Sequence, residues 1–277
     1  MGIGTYLRRR IAKPIVEKLD AQGQLLCEMH IRALLNTSPY DAPLRLERFG
    51  FRSFSQNDED GIIQEIYRRI GIETATFVEF GVENGLENNS RLLLNQGWRG
   101  LWLEGNVRAA RSAAAAFAAE IAAGRLQLRS TFVTRENINE LIASAKFDAL
   151  DLLSIDVDGN DYWIWEAVAA QPRVVVIEYN AKFRPPSRWV MAYKSDHRWT
   201  GGDYHGASLQ SLIELGERKG YVLVGCCLAG VNAFFVRKDL VQDRFAVADS
   251  AALYNPPRFY LHSMLACGHP AEPFGAY

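Results

Sequence analysis

The sequence predicts a doubly wound α/β fold with a helical extension at its N-terminus. Three observations predict it. Short apolar, β-branched runs alternate with helical segments between residues 76 and 179. Two further apolar runs lie close together after residue 220, and the chain ahead of residue 70 carries helical rather than strand periodicity.

The elements follow in order. Residues 15 to 36 space their apolar side chains as a helix does, and Ser55 ahead of Asp58, Glu59 and Asp60 reads as a helix cap followed by acids in the first turn. Five runs are candidate parallel strands: TFVEF at 76–80, GLWLE at 100–104, LQLRSTF at 126–132, DLLSID at 151–156 and VVVIEY at 174–179. Between them, Ser90 caps a helix that stops at Gly97, and an alanine-rich run reads as one helix ending at Gly124. ENINELIASAK and DYWIWEAVAA, the second opened by Asp161, supply two more helices. The rhythm breaks at residues 181–205, which hold Pro185-Pro186, Gly201-Gly202, aromatics and bases, so a long functional loop or lid is expected. GASLQSLIELGERKG then forms a helix ending at Gly220, and YVLVGCC and VNAFFVR, three residues apart, form a terminal antiparallel hairpin. The expected division is an extension at 1–52, a main domain at 53–238 with its lid at 181–205, and a tail at 239–277 folded over the body.

The 277 residues hold 31 Lys+Arg against 32 Asp+Glu, so no global field recruits nucleic acid or an anionic surface and partners must be argued locally. Cys27, Cys226, Cys227 and Cys267 make no C-x-x-C pair or zinc spacing, which suits a reducing cytoplasm; Cys226 and Cys227 read as thiols on opposite faces of a strand. Arg8, Arg9 and Arg10 precede no signal-peptide apolar run, and nowhere is there the run of about 18 apolar residues that a membrane span needs. Residues 4 to 20 remain a candidate basic amphipathic helix for a membrane or partner, a solvated helix face being the plainer reading.

Ligands of open α/β sheets collect beyond the carboxyl ends of the strands. Here those ends are acidic: Glu79 and Glu83 after the first strand, Glu104 after the second, Asp156, Asp158 and Asp161 after the fourth, Glu178 after the fifth. A dinucleotide site wants G-x-G-x-x-G so that bare backbone approaches a diphosphate at a helix N-terminus. Gly81 and Gly85 are present, but Glu83 and Glu87 add negative charge with no cation in the turn. A phosphate-free cationic ligand fits better, and S-adenosylmethionine is one, with ribose hydroxyls that suit Glu104.

SQNDEDGI (55–62), FVEFGVENGLENNSRLLL (77–94), GWRGLWLEGN (97–106), DLLSIDVDGNDYW (151–163), VVVIEYN (174–180), GASLQSL, GYVLVG and NAFFVR together resemble the FkbM-like family and its macrocin-type sugar O-methyltransferase relatives, across about residues 53 to 238. The resemblance implies a class I, Rossmann-like methyltransferase fold: a doubly wound, seven-stranded, mostly parallel sheet with a terminal antiparallel hairpin. It implies Glu79, Gly81 and Gly85 around the methionine part of S-adenosylmethionine, with Glu83 and Asn88 in the same cradle, Glu104 at the ribose, Thr131 at the adenine rim and Asp156 beside the methyl group. It departs from the commoner D/E-x-G-x-G-x-G pattern in having Glu83 at the middle glycine position.

Asp156, Asp158, Glu178 and Asn180 come from adjacent strands, and a divalent ion such as Mg2+ would resemble the macrocin-type metal site, although Glu178-Tyr179-Asn180 stands where that family has paired aspartates. The metal set is thus Asp156, Glu178 and Asn180, with a loop-capping network as the plainer reading. Methyl transfer to a hydroxyl needs a base. His205, at a helix opening, is the first candidate, with Asp158 as an alternative. Trp189, Tyr193, Trp199, Arg184, Arg188 and Arg198 suit the lid to a nucleotide-linked or phosphorylated sugar, or simply pack it; Trp163 and Trp165 are assigned to packing. Methylation of a sugar or natural-product hydroxyl is therefore expected, with homo-oligomerisation left open. The rivals are an NAD-dependent oxidoreductase and a catalytically silent partner-binding scaffold.

Overall fold

The computed structural model describes residues 13–246 and 250–263. Helix α1 (Lys13–Leu35) leads into a short 3-10 turn (Glu47–Phe49) and α2 (Glu59–Ile70). Then come β1 (Thr76–Phe80), α3 (Arg91–Asn95), β2 (Arg99–Glu104), α4 (Val107–Ala116), α5 (Ala118–Ala122), β3 (Leu126–Ser130), α6 (Ile138–Ser144), β4 (Leu152–Ile155), α7 (Asp161–Ala167) and β5 (Val174–Glu178). Helix α8 (Leu209–Lys219), β6 (Tyr221–Cys226) and β7 (Asn232–Arg237) follow, with short helices α9 (Lys238–Val241), α10 (Ser250–Leu253) and α11 (Tyr260–Ser263).

The strands form one seven-stranded sheet in the order β3-β2-β1-β4-β5-β7-β6. β1 to β5 run parallel, and β7 lies antiparallel to both β5 and β6. This is the doubly wound sheet with a terminal hairpin that the sequence predicts, and its chain order reverses between β1 and β4, where a crevice opens. Side chains alternate across the sheet with period two. Val78, Leu101, Leu153 and Val175 enter one core, whereas Phe77, Trp102, Leu152 and Val176 enter the other. All of these are at most 1% exposed, which accounts for the unbroken apolar runs in the sequence: both faces are covered.

Several local expectations need correction. The alanine-rich segment is two helices broken at Phe117, whose buried ring meets Trp102 edge-to-face at 4.8 Å. A large aromatic must turn inward there, and alanine propensity gives no warning of it. Ser55 does not occupy the cap position of α2, which Asp58 holds. Its hydroxyl instead accepts the N–H of Asp60, while the Asp60 carboxylate accepts the N–H groups of Ser53, Phe54 and Ser55. Cys226 and Cys227 face opposite cores and are free thiols, as is Cys27. Arg8 to Arg10, Cys267 and the last residues of the expected tail lie outside the described residues.

The N-terminal and C-terminal segments pack together on the β6 side. The buried Arg45 and Glu47 pair with each other, Asn255 donates to Glu47 Oε1 at 3.1 Å, and Arg45 Nη1 donates to the carbonyl of Ala252 at 2.6 Å. Tyr40 completes this buried polar bracket by donating to Asn255 Oδ1 at 2.7 Å.

Candidate active site

The crevice begins where β1 ends. Gly81 has φ +71°, and a Cβ there would lie 1.8 Å from the carbonyl oxygen of Asp156, so only glycine lets the turn after β1 pass the turn after β4. Glu83 is also left-handed, at φ 50°, and its N–H is held at 2.7 Å by Glu104 Oε2 from the end of β2. Glu104 Oε1 accepts the N–H of Asn106 at 2.6 Å. Each oxygen of this buried carboxylate therefore keeps one lone-pair direction for another donor.

Glu79 is committed differently. Its carboxylate accepts the N–H groups of Asn89 and Ser90, each at 2.9 Å, and the hydroxyls of Ser90 and Ser154. It thereby closes the loop that leads into α3. Burial raises it from the usual carboxylate range to about 6, against the lowering effect of those hydrogen bonds.

A cavity of about 800 Å³ occupies the crevice. Six carboxylates line it, those of Glu79, Glu83, Glu87, Glu104, Asp156 and Asp158, against the two guanidiniums of Arg108 and Arg198. Carboxyl groups therefore outnumber cationic side chains in its wall. Asn88, also in its wall, is 7% exposed and neither end of its amide has a partner within the protein. Asn232 Oδ1 and His197 Nε2 are likewise buried and unpartnered in the same wall. Native interiors rarely leave such atoms unsatisfied, so these three point to a ligand or water.

A second acidic group shares Asp156 with this wall. One carboxylate oxygen from each of Asp156, Asp161 and Glu178 lies within 4.8 Å of the others. Burial, and then mutual repulsion, hold Asp156 and Glu178 far above the usual carboxylate range, while Asp161 is raised to about 6. Asp161 also accepts the N–H groups of Val157 and Gly159, both at 2.9 Å, which stiffens the turn bearing Asp158. His205 Nδ1 is 3.6 Å from Glu178 Oε2.

Seven of the expected site residues share the cavity wall: Glu79, Gly81, Glu83, Asn88, Glu104, Asp156 and Asp158. The others do not. Gly85 is a packing glycine, because a Cβ there would lie 2.7 Å from Trp102 and 2.8 Å from Phe117. Thr131 continues the β3 ladder through its N–H to the carbonyl of Glu104, and Phe132 and Val133 take its place in the wall. Asn180 spends its amide on loop closure, donating to the carbonyls of Asp203 and His205 and accepting the N–H of Lys182, so Asp161 stands in its place beside Asp156 and Glu178. His205 adjoins that acidic group and does not line the cavity; His197 does.

Residues 181–205 divide in the same manner. His197, Arg198 and Trp199 reach the cavity, whereas Trp189 stacks on Phe183 at 4.4 Å, Arg188 pairs with Glu214 at 2.7 Å and Arg184 lies over Tyr254. Tyr193 binds Glu136 and sits under Arg135. Trp163 and Trp165 pack as expected, the former donating to the carbonyl of Met191 at 2.7 Å.

No family model matches the chain, and no curated protein matches it. Solved structures that it resembles include the N-terminal domain of EvdMO1 with SAH bound, at 15% identity and TM-score 0.41 over 69% of this chain and 90% of that one. An S-adenosylmethionine-dependent methyltransferase from Clostridium acetobutylicum aligns at 9% identity and TM-score 0.41 over 76% and 98% of the two chains. An O-methyltransferase family protein from Burkholderia thailandensis aligns at 10% identity and TM-score 0.37, over 64% of this chain and 55% of that one.

Proposed function

We propose that this chain is an S-adenosylmethionine-dependent methyltransferase acting on a hydroxyl of a small acceptor, a sugar or related natural-product intermediate. The observation that carries the reading is the cavity at the β1/β4 reversal, where Glu104 keeps free lone pairs beside the unpartnered amide of Asn88 and carboxylates outnumber cations.

In this reading Glu104 accepts the ribose hydroxyls, Phe132 and Val133 flank the adenine, and Asn88 binds the polar methionine end. The carboxylates of Glu79, Glu83 and Glu104 in the wall favour a ligand bearing an ammonium and a sulfonium and disfavour a diphosphate. When bound, the cofactor supplies an electrophilic methyl group. The chain's own task is then to align an acceptor oxygen and remove its proton. His197, whose Nε2 has no protein partner, and the neighbouring Asp158 are the groups in the wall suited to that proton, and His205 is set aside because it adjoins Glu178 and does not line the cavity. Trp199 and Arg198 at the lid edge suit a sugar ring and a phosphate or carboxylate on the acceptor. Asp156, Asp161 and Glu178 are hard oxygen donors that would hold a divalent ion such as Mg2+, which supplies charge neutralisation there when bound.

Calorimetric titration of the purified chain with S-adenosylmethionine, S-adenosylhomocysteine and NAD, each with EDTA or with magnesium, tests the reading. Binding of the two sulfur compounds and not of NAD is expected. Binding of NAD alone would select the oxidoreductase, and binding of none would remove the central claim.

A further inference from the structure

Among the described residues a large apolar surface is left unaccounted for, and it lies far from the cavity in sequence and in role. Helix α1 packs one face on the body through Cys27, Ile31, Leu34 and Leu35, against Tyr40, Leu228 and Leu261. Its other face carries Ile15, Leu19, Leu25, Leu26 and Met29, each 55–65% exposed. Ile15, Leu19, Gln22, Leu26, Met29 and Ala33 succeed one another at alternating intervals of four and three, which at 100° per residue makes one continuous stripe. Phe259 and Tyr260, 59% and 52% exposed, continue the apolar surface: the ring of Tyr260 lies edge-on to His30 at 6.1 Å. Of the fourteen exposed large hydrophobic residues among those described, seven are on α1 or beside it, so this surface is a patch and not a scatter.

The charges around the stripe indicate what covers it. Lys18 and Arg32 border it on the Leu25 side, two turns either way along the same flank, while the helix's acids, Glu17, Asp20 and Glu28, fall outside it. Arg32 reaches Glu28 only at 3.9 Å with both side chains well exposed, an ion pair worth little. In the sequence, Arg8, Arg9 and Arg10 add charge of the same sign ahead of the helix. A second copy is a poor match. In an antiparallel helix pair Lys18 and Arg32 would meet their like, and in a parallel pair they would face no acid. Long basic side chains bordering an apolar stripe, with aromatics at one end, are instead the arrangement of a helix lying in the headgroup region of a bilayer.

We propose that the exposed face of α1, with Phe259 and Tyr260, docks the protein on an anionic phospholipid surface. The helix lies in the interface and does not cross it; no helix among the described residues is long and apolar enough to span a membrane. This docking is independent of the methyl-transfer reading.

Co-sedimentation of the full chain with vesicles of phosphatidylcholine, or of equimolar phosphatidylcholine and phosphatidylglycerol, tests it. Binding to the anionic vesicles is expected, weakening as salt is raised. Lys18→Gln should lower partitioning about fivefold and Leu26→Gln about tenfold, with the thermal transition of both variants unchanged because neither side chain packs on the body. Absence of binding to anionic vesicles overturns the proposal, as does binding that Leu26→Gln leaves unaltered. A concentration-dependent dimer in analytical ultracentrifugation that Leu26→Gln dissolves, without vesicle binding, overturns it in favour of a second copy.

Discussion

Glu104 holds the backbone N–H of Glu83 at 2.7 Å, so the acid at the end of β2 and the left-handed turn after β1 are one unit. The same carboxylate would both shape the cradle and accept the ribose. Glu104→Ala should weaken S-adenosylhomocysteine binding about tenfold or more, since a hydrogen bond to a charged group contributes about 1.5–3 kcal/mol. Calorimetry on the variant reads this directly, and an unchanged affinity would show the ribose assignment to be wrong.

Asn88 affects stability as well as affinity. A buried amide without partners costs about 1–3 kcal/mol, so the ligand-free protein is less stable for having it. Asn88→Leu, which keeps the branching and heavy-atom count of the side chain, should raise the thermal midpoint of the ligand-free protein and lower cofactor affinity about tenfold. A lower midpoint with affinity intact would assign Asn88 to structure.

Gly85 was expected in the cofactor cradle, and its neighbours place it in the core. Gly85→Ala forces a Cβ into Trp102 and Phe117 at a backbone φ of +75°, so unfolding in urea should show a loss of about 2–4 kcal/mol. The fraction that folds should bind S-adenosylhomocysteine with normal affinity. A variant as stable as the parent but unable to bind would restore the cradle role.

Gly85 also shows where sequence reading stops. The strands were legible because a sheet covered on both faces writes its burial as unbroken apolar runs, and the carboxylates at their ends were legible because position along a strand fixes which end of the sheet a residue occupies. That logic placed Glu79, Gly81, Glu104 and Asp156 at one crevice. It could not say that Asn180 folds back to close its own loop while Asp161, from the next helix, joins Asp156 and Glu178. Nor could it choose between His197 and His205, because an irregular segment without periodicity decides that the first lines the cavity and the second meets Glu178. Asn88, Asn232 and His197 declare themselves by lacking partners, a property that exists only once the chain is folded.

The titration of Glu79 links stability and binding with opposite signs. Its folded-state value of about 6 lies above the ordinary 4.5, so the native state holds its proton more tightly than the unfolded chain does. The stabilisation is complete below pH 4.5 and is lost as pH rises through 6, a change of about 2 kcal/mol at 1.36 kcal/mol per unit. The ligand-free protein should therefore gain from this group as pH falls from 7 to 5. A cationic ligand prefers the ionised carboxylate, so cofactor affinity should instead fall, by about tenfold between pH 7 and pH 5 if only the ionised form binds. Calorimetric titrations at pH 5, 6 and 7 measure it. An affinity that is flat over this range would separate Glu79 from the bound cation and leave it solely as the clasp of the loop ahead of α3.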